Sequence, residues 1–361
     1  MSDTAAIARM VRTVREARGW AQADLADAAG VSQGFVSKVE KGLLPLTAEY
    51  LAAVAEALAV PTDLLRVTGP IGGVEVTCLH HRRRSGVMSV KMMRAVEGLT
   101  QLTRLTVDGL SAGVYDSRPQ LLELARMPLA EHGDPAAVAA ALRQTWELPT
   151  GPVEDLVALL ESAGVRVMRR DLGTAAQDAV STWPAHGQPL ILLNRDLPAD
   201  RERFTLAHEV GHLLMHELPA DDQEKEANRF AGEFLAPADE LEPLLRGLTV
   251  RQFAKLADLK MTWKVSMAML IQRAADLECI SASQFKTFRI RLNQYGWSQH
   301  EPGDLSAEAP RHVANLITAQ LDRHEQDVDA VAELALMLPE PFRRHYLPLV
   351  VEESAAATVR S

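Results

Sequence analysis

Residues His208, Glu209 and His212 occupy an H-E-x-x-H spacing within "FTLAHEVGHLLM", residues 204–215. This spacing constrains the fold more than any other feature of the chain, because it has chemical meaning only on an α-helix. There the two histidines fall one turn apart on a common face, and two imidazoles can reach one ion. Glu209 lies about 100° further round the helix. From there it can act as a general base on water that the ion activates, without being a ligand itself. A pattern of five residues also arises by chance, so its surroundings must carry the weight. "FTLA" before it and "LLM" after it give the helix an apolar face, and "PLILLN" (189–194) reads as a buried strand just upstream.

A catalytic zinc needs a third protein ligand and an open position for water. Downstream, "EKEANRFAGEFLAP" (224–237) is a second helical pattern carrying Glu224, Glu226 and Asn228. Glu224 and Asn228 are four apart and share a face with Ala231 and Leu235, so one can bind metal while the other holds a ligand histidine from behind. Glu226 lies off that face and reads as solvated. His216 competes for the third position, but on a straight helix it stands about 12 Å along the axis from His208. That is too far to share one ion, so His216 reads as a residue at the lip, supporting a ligand or touching substrate. Zinc is the expected ion, and manganese fits the same donor set of two histidines and one glutamate.

The N-terminal sixty residues have a different character. "QADLADAAG" and "SQGFVSKVEKG" carry the apolar spacing of two helices joined through Gly30-Val31, with Leu25, Ala29, Val31, Val36 and Val39 facing inward. Leu51, Val54 and Leu58 close the bundle. Ser32 suits the N-cap of the second helix. With Ser32, the early positions Gln33, Gly34, Ser37 and Lys38 are where a helix-turn-helix presents side chains to the major groove of double-stranded operator DNA. Gln22, opening the preceding helix, is placed to bond a phosphate. Residues 1–66 hold seven basic and eight acidic side chains, so phosphate neutralisation is modest and salt-sensitive. The adjacent Arg82, Arg83 and Arg84 can add to it. A small helical bundle used for protein contacts is the plainer alternative.

Between and beyond these modules, "TGPIGGVEVT" (68–77) marks a boundary rich in Gly and Pro, followed by "HHRRRS" and a helical segment over about 88–108. A second helical block opens at Asp134-Pro135, and "PVEDLVALLESAG" (152–164) reads as an amphipathic helix stopped by Gly164. "VRVMR" and "PLILLN" read as short strands, with "AVSTW" (179–183) a weaker third. Helices resume at Arg201 and run towards the C-terminus. The fold class expected is α+β and predominantly helical, an all-α module followed by an α+β module with a small sheet.

"RFTLAHEVGHLLMH" with "EANRFAGEFLAP" resembles the ImmA/IrrE-type metallopeptidases of bacteria and mobile elements, over roughly residues 134–303. The resemblance implies a zincin-like domain with His208, His212 and Glu224 as zinc ligands and Glu209 as the base. "AGVSQGFVSKVEKG" with "REARGWAQADLA" resembles the lambda-repressor/Cro-like (XRE) regulators, and in that family an arginine of the first helix pairs with the glutamate after the recognition helix, here Arg15 with Glu40. The expected division is a DNA-binding domain at 1–67, a linker and helical connector at 68–130, the metallopeptidase domain at 131–303 and a C-terminal helical segment at 304–361.

Composition narrows the setting. No apolar run approaches the roughly 18 residues of a membrane span, and the N-terminus lacks a signal-peptide pattern. Cys78 and Cys279 are too few for a disulfide framework, which favours a reducing cytoplasm. A net charge of −10 does not suggest bulk attraction to nucleic acid, so any DNA binding must come from a local surface. Three weaker signals are set aside: "GVSQG" (30–34) lies between helices rather than on a nucleophile elbow; Cys78 with His80 and His81 lacks paired ligand spacing; and 256–274, despite its helix-turn-helix periodicity, is rich enough in Met and Leu to read as packing beside the metal domain. The function expected is a transcriptional regulator, dimeric where it reads paired half-sites, whose zinc endopeptidase cleaves a repressor or its own linker in 68–77 on a signal. The rival from another class is a regulator whose metal domain senses a ligand without turnover.

Overall fold

A computed structural model describes residues 3–68, 88–114, 122–184, 187–195, 197–216, 221–297 and 300–350. "LILLN" is apolar at four successive positions, the signature of a strand buried on both faces. It forms the middle of a three-stranded sheet in which β1 (Arg166–Arg170), β2 (Ala179–Thr182) and β3 (Leu190–Asn194) lie in the order β1-β3-β2. β1 runs parallel to β3 and β2 antiparallel, with Val167 and Ser181 both opposite Ile191. Alternation then sorts the side chains. Ile191, Leu193, Val167 and Ala179 face one core, and Leu190, Leu192, Met168 and Val180 face another.

The first face carries the H-E-x-x-H helix, Ala199–Met215, and behind it the helix Gln223–Leu235, hereafter the motif helix and the ligand helix. Helix Pro135–Thr145 packs on the ligand helix and is N-capped by Asp134, whose Oδ1 accepts from Ala136 N at 2.8 Å. The amphipathic stretch at 152–164 is helical only over Leu156–Ser162, because Asp155 caps Ala158 N and starts the helix there. Helices Phe253–Trp263 and Met267–Asp276 contribute Leu256, Trp263, Met267 and Leu270 to the same core, so this segment packs beside the site helices as its composition suggests.

The second face is covered by elements far apart in sequence. A 22-residue connector helix, Val90–Ser111, lies there with the C-terminal helices His312–Arg323, Val328–Leu334 and Pro339–His345. Val96, Val107 and Leu110 meet Ile317, Phe342 and Tyr346 over Leu190 and Leu192. Arg166 ties the layer to the sheet edge through Asp108 Oδ1 at 2.5 Å and Ser111 Oγ at 3.0 Å. Segments 88–111 and 312–346 thus join as one layer, because a strand apolar on both faces needs both faces covered. An acidic strap delivers the C-terminal helices. Glu301 accepts from Met267 N at 2.6 Å and Ala268 N at 2.8 Å, Glu308 pairs with buried Arg203, and Glu161 receives Arg311 N and His312 N, each at 2.9 Å.

The N-terminal module is a bundle of α1 (Asp3–Ala17), α2 (Gln22–Ala28), α3 (Gln33–Glu40), α4 (Ala48–Ala57) and α5 (Thr62–Leu65). Leu25, Val36, Val39, Leu51, Val54 and Leu58 are buried in its core, with Ala29 and Val31 at the margin. The module is seated on the connector helix. At Gly98 a Cβ would lie 2.8 Å from the Thr13 carbonyl oxygen, so only glycine allows α1 this close. Leu102, Leu105 and Leu336 extend the bundle's core from outside it. Residues 69–77, Cys78, His80, His81 and Arg82–Arg84 lie outside the described residues. No helix among the described residues is long and apolar enough to cross a membrane.

Candidate metal centre

The motif helix brings His208 and His212 together as their spacing requires. Their Nε2 atoms are 3.0 Å apart. The ligand helix lies against them because Gly211, between the two histidines, presents no side chain: a Cβ there would stand 3.0 Å from Phe230 Cδ1 and 3.3 Å from Ala227 Cα. That approach puts Glu224 Oε1 3.4 Å from His212 Nε2 and Glu224 Oε2 3.7 Å from His208 Nε2. Ligand atoms about 2.0–2.1 Å from a tetrahedral zinc stand about 3.3 Å from one another. The three side chains therefore form a pocket of the size and donor type that zinc takes, and they are the metal-sized cluster found among the described residues.

Each histidine is held by its other nitrogen. Asn228 Oδ1 lies 3.0 Å from His208 Nδ1 and accepts its proton. His212 Nδ1 lies 3.0 Å from His216 Nδ1, and His216 Nε2 lies 3.0 Å from Glu226 Oε2. The helix ends at Met215, and His216 has extended backbone, φ −119° and ψ 109°. Burial, reinforced by the His212 imidazole and opposed by Glu224, lowers the His216 pKa to about 3, which keeps its ring neutral. His216 thus stands behind His212 rather than in the ligand set. Glu226, expected to be solvated, is its partner; a wheel drawn on the ligand helix alone misses this because His216 has already left the motif helix.

Glu209 is buried, and Ser181 Oγ donates to its Oε2 at 2.5 Å. Ser181 sits opposite Ile191 on the site face of the sheet, on β2 at the sheet's edge. The sequence marks Val180 to Trp183 as a strand edge on which an extended substrate could pair, but gives no sign that Ser181 reaches Glu209. The end of the motif helix is closed by Arg126, which donates to Leu213 O at 3.3 Å, and by Met127 N, which donates to Leu214 O at 3.0 Å.

In the N-terminal module, Ser32 caps α3 through Phe35 N at 3.2 Å, and Gln33, Gly34 and Lys38 are exposed with Ser37 partly so. Arg15 and Glu40 are both buried and paired, Nε to Oε1 at 2.5 Å and Nη2 to Oε2 at 2.9 Å. Gln22 Nε2 donates to Glu40 Oε2 at 2.8 Å, so one of its two amide N–H groups is directed to the buried pair.

Comparison with known families agrees with both constellations. Residues 11–65 match the model of the helix-turn-helix domain, and residues 160–275 match that of the IrrE N-terminal-like domain, a peptidase family. The chain fuses an XRE-type module to an IrrE-like domain. No curated protein matches it. The IrrE-like match contains the sheet, the motif helix and the ligand helix, so all of His208, Glu209, His212, Glu224 and Asn228 fall inside it. The connector helix and the C-terminal helices fall outside both matches.

Proposed function

We propose that the protein is a cytoplasmic DNA-binding regulator whose IrrE-like domain is a zinc-dependent endopeptidase acting on a protein substrate, a repressor or a copy of this chain. The observation that carries the proposal is the convergence of His208, His212 and Glu224 with a buried carboxylate, Glu209, on the same helix. Zinc held by those three side chains supplies a Lewis acid that activates water and polarises a peptide carbonyl. Glu209 takes the proton of the attacking water and returns it to the leaving amine. Ser181 holds the carboxylate in place from the strand, and Asn228 fixes the ring of His208. Edge strand β2 and the residues that follow it, Val180 to Trp183, offer a rim on which an extended substrate can pair. The α3 face of Ser32, Gln33, Gly34, Ser37 and Lys38 is the surface assigned to operator DNA.

Glu209→Gln is the discriminating variant, since it retains the metal ligands and removes the base. Zinc-loaded wild type should cleave an unstructured protein substrate, with loss of about 10²–10⁴ in rate in the variant. A variant that cleaves as fast as the wild type contradicts the mechanism. A wild type that regulates normally without turnover, as its Glu209→Gln variant does, marks a ligand sensor instead.

A further inference from the structure

His208 and His212 are held in unlike ways. His208, at the solvent side of the site, meets the neutral amide of Asn228. His212 is buried and meets a second buried histidine, His216, which in turn meets a carboxylate, Glu226, that is 30 % exposed. Two ring nitrogens 3.0 Å apart form a hydrogen bond only when one donates and the other accepts. The outer end of the chain sets the direction. An ionised carboxylate only accepts, so His216 Nε2 carries the proton directed at Glu226. A neutral imidazole has one N–H, so His216 Nδ1 accepts and His212 Nδ1 donates to it. The lone pair of His212 is then left on Nε2, the atom that faces His208 and Glu224.

We propose that His216 and Glu226 are positioning residues, a two-step relay that locks His212 in its metal-binding tautomer and raises the basicity of its Nε2. The pair thereby sets the affinity of the site for a divalent cation. This inference rests on the metal-centre reading above and adds to it. A carboxylate acting directly on a metal-bound histidine is a common arrangement; here a second imidazole is interposed, which carries the carboxylate's influence from the surface to a ligand that solvent does not reach. His216 follows the last residue of the motif helix, Met215, with extended backbone, and its Nδ1 lies 3.0 Å from that of His212.

The test uses full-length protein and zinc alone, with affinity read by chelator competition and stability read by thermal unfolding of the metal-free form. His216→Ala and Glu226→Ala should each weaken zinc binding by about 10–100-fold. The double variant should be no weaker than His216→Ala, because residues acting in series do not add. Glu226→Gln, which still presents an accepting oxygen to His216 Nε2, should recover most of the loss. Glu226 is partly exposed, so its variants keep the test valid if His216→Ala fails to fold. Unchanged affinity in Glu226→Ala overturns the relay, as do losses that add or that track a fall in metal-free stability. A wild type that takes up no zinc overturns the metal-centre reading itself, which separates the two failures.

Discussion

Glu209 and Ser181 meet in a buried environment, where the hydroxyl donates to the carboxylate proposed as the general base. A hydrogen bond to a charged group contributes about 1.5–3 kcal/mol. Ser181→Ala should therefore lower kcat/KM for a peptide substrate by about tenfold or more while zinc affinity stays at the wild-type value. Equal activity in the two proteins would show that Glu209 needs no support from the strand. The clustering of His208 with His212, and the shared face of Glu224 and Asn228, were legible in the sequence because both pairs obey the four-residue rule of a helix, which needs no knowledge of tertiary structure. Ser181 was not legible, since its partner lies 28 positions away and the match depends on strand register. Glu226 was hidden for a related reason: its partner His216 sits just past the helix end, where helical extrapolation stops applying.

At the scale of elements, the candidate metal centre is a matter of how closely two helices pack. Gly211 sets that distance through Phe230 and Ala227 of the ligand helix. Gly211→Val places a branched side chain against them, and overpacking of this kind costs about 1–3 kcal/mol. The ligand helix carries Glu224 and Asn228, so the expected result is a loss of zinc affinity of more than about tenfold, larger than the loss of metal-free stability implies. Titration of zinc against the variant checks it, and wild-type affinity would mean that the helices can part without moving Glu224. The helices and the middle strand were readable from periodicity and caps such as Asp134 and Ser32. The extent of helix Leu156–Ser162 was not, because Pro152 and Asp155 both offer a start and only the competing side-chain bond decides between them.

At the scale of the molecule, the DNA-binding module and the metal domain share a bridge. The connector helix packs against α1 at Gly98 and covers the back of the sheet whose front carries Ser181. Gly98→Leu should unseat the module, splitting one calorimetric unfolding transition into two, while a single unchanged transition would mean that the seat contributes nothing. This layer was the least legible part of the fold. The stretches over about 88–108 and 304–361 each read as helical, but nothing local says that they meet over Leu190 and Leu192. The chemistry proposed for the site turns on the metal. Its most direct test is the zinc content of purified protein, wild type beside His208→Ala and Glu224→Ala. One tightly held zinc in the wild type and none in either variant is the result predicted; a wild type that neither contains nor takes up zinc, or variants that hold it as firmly, would contradict the account.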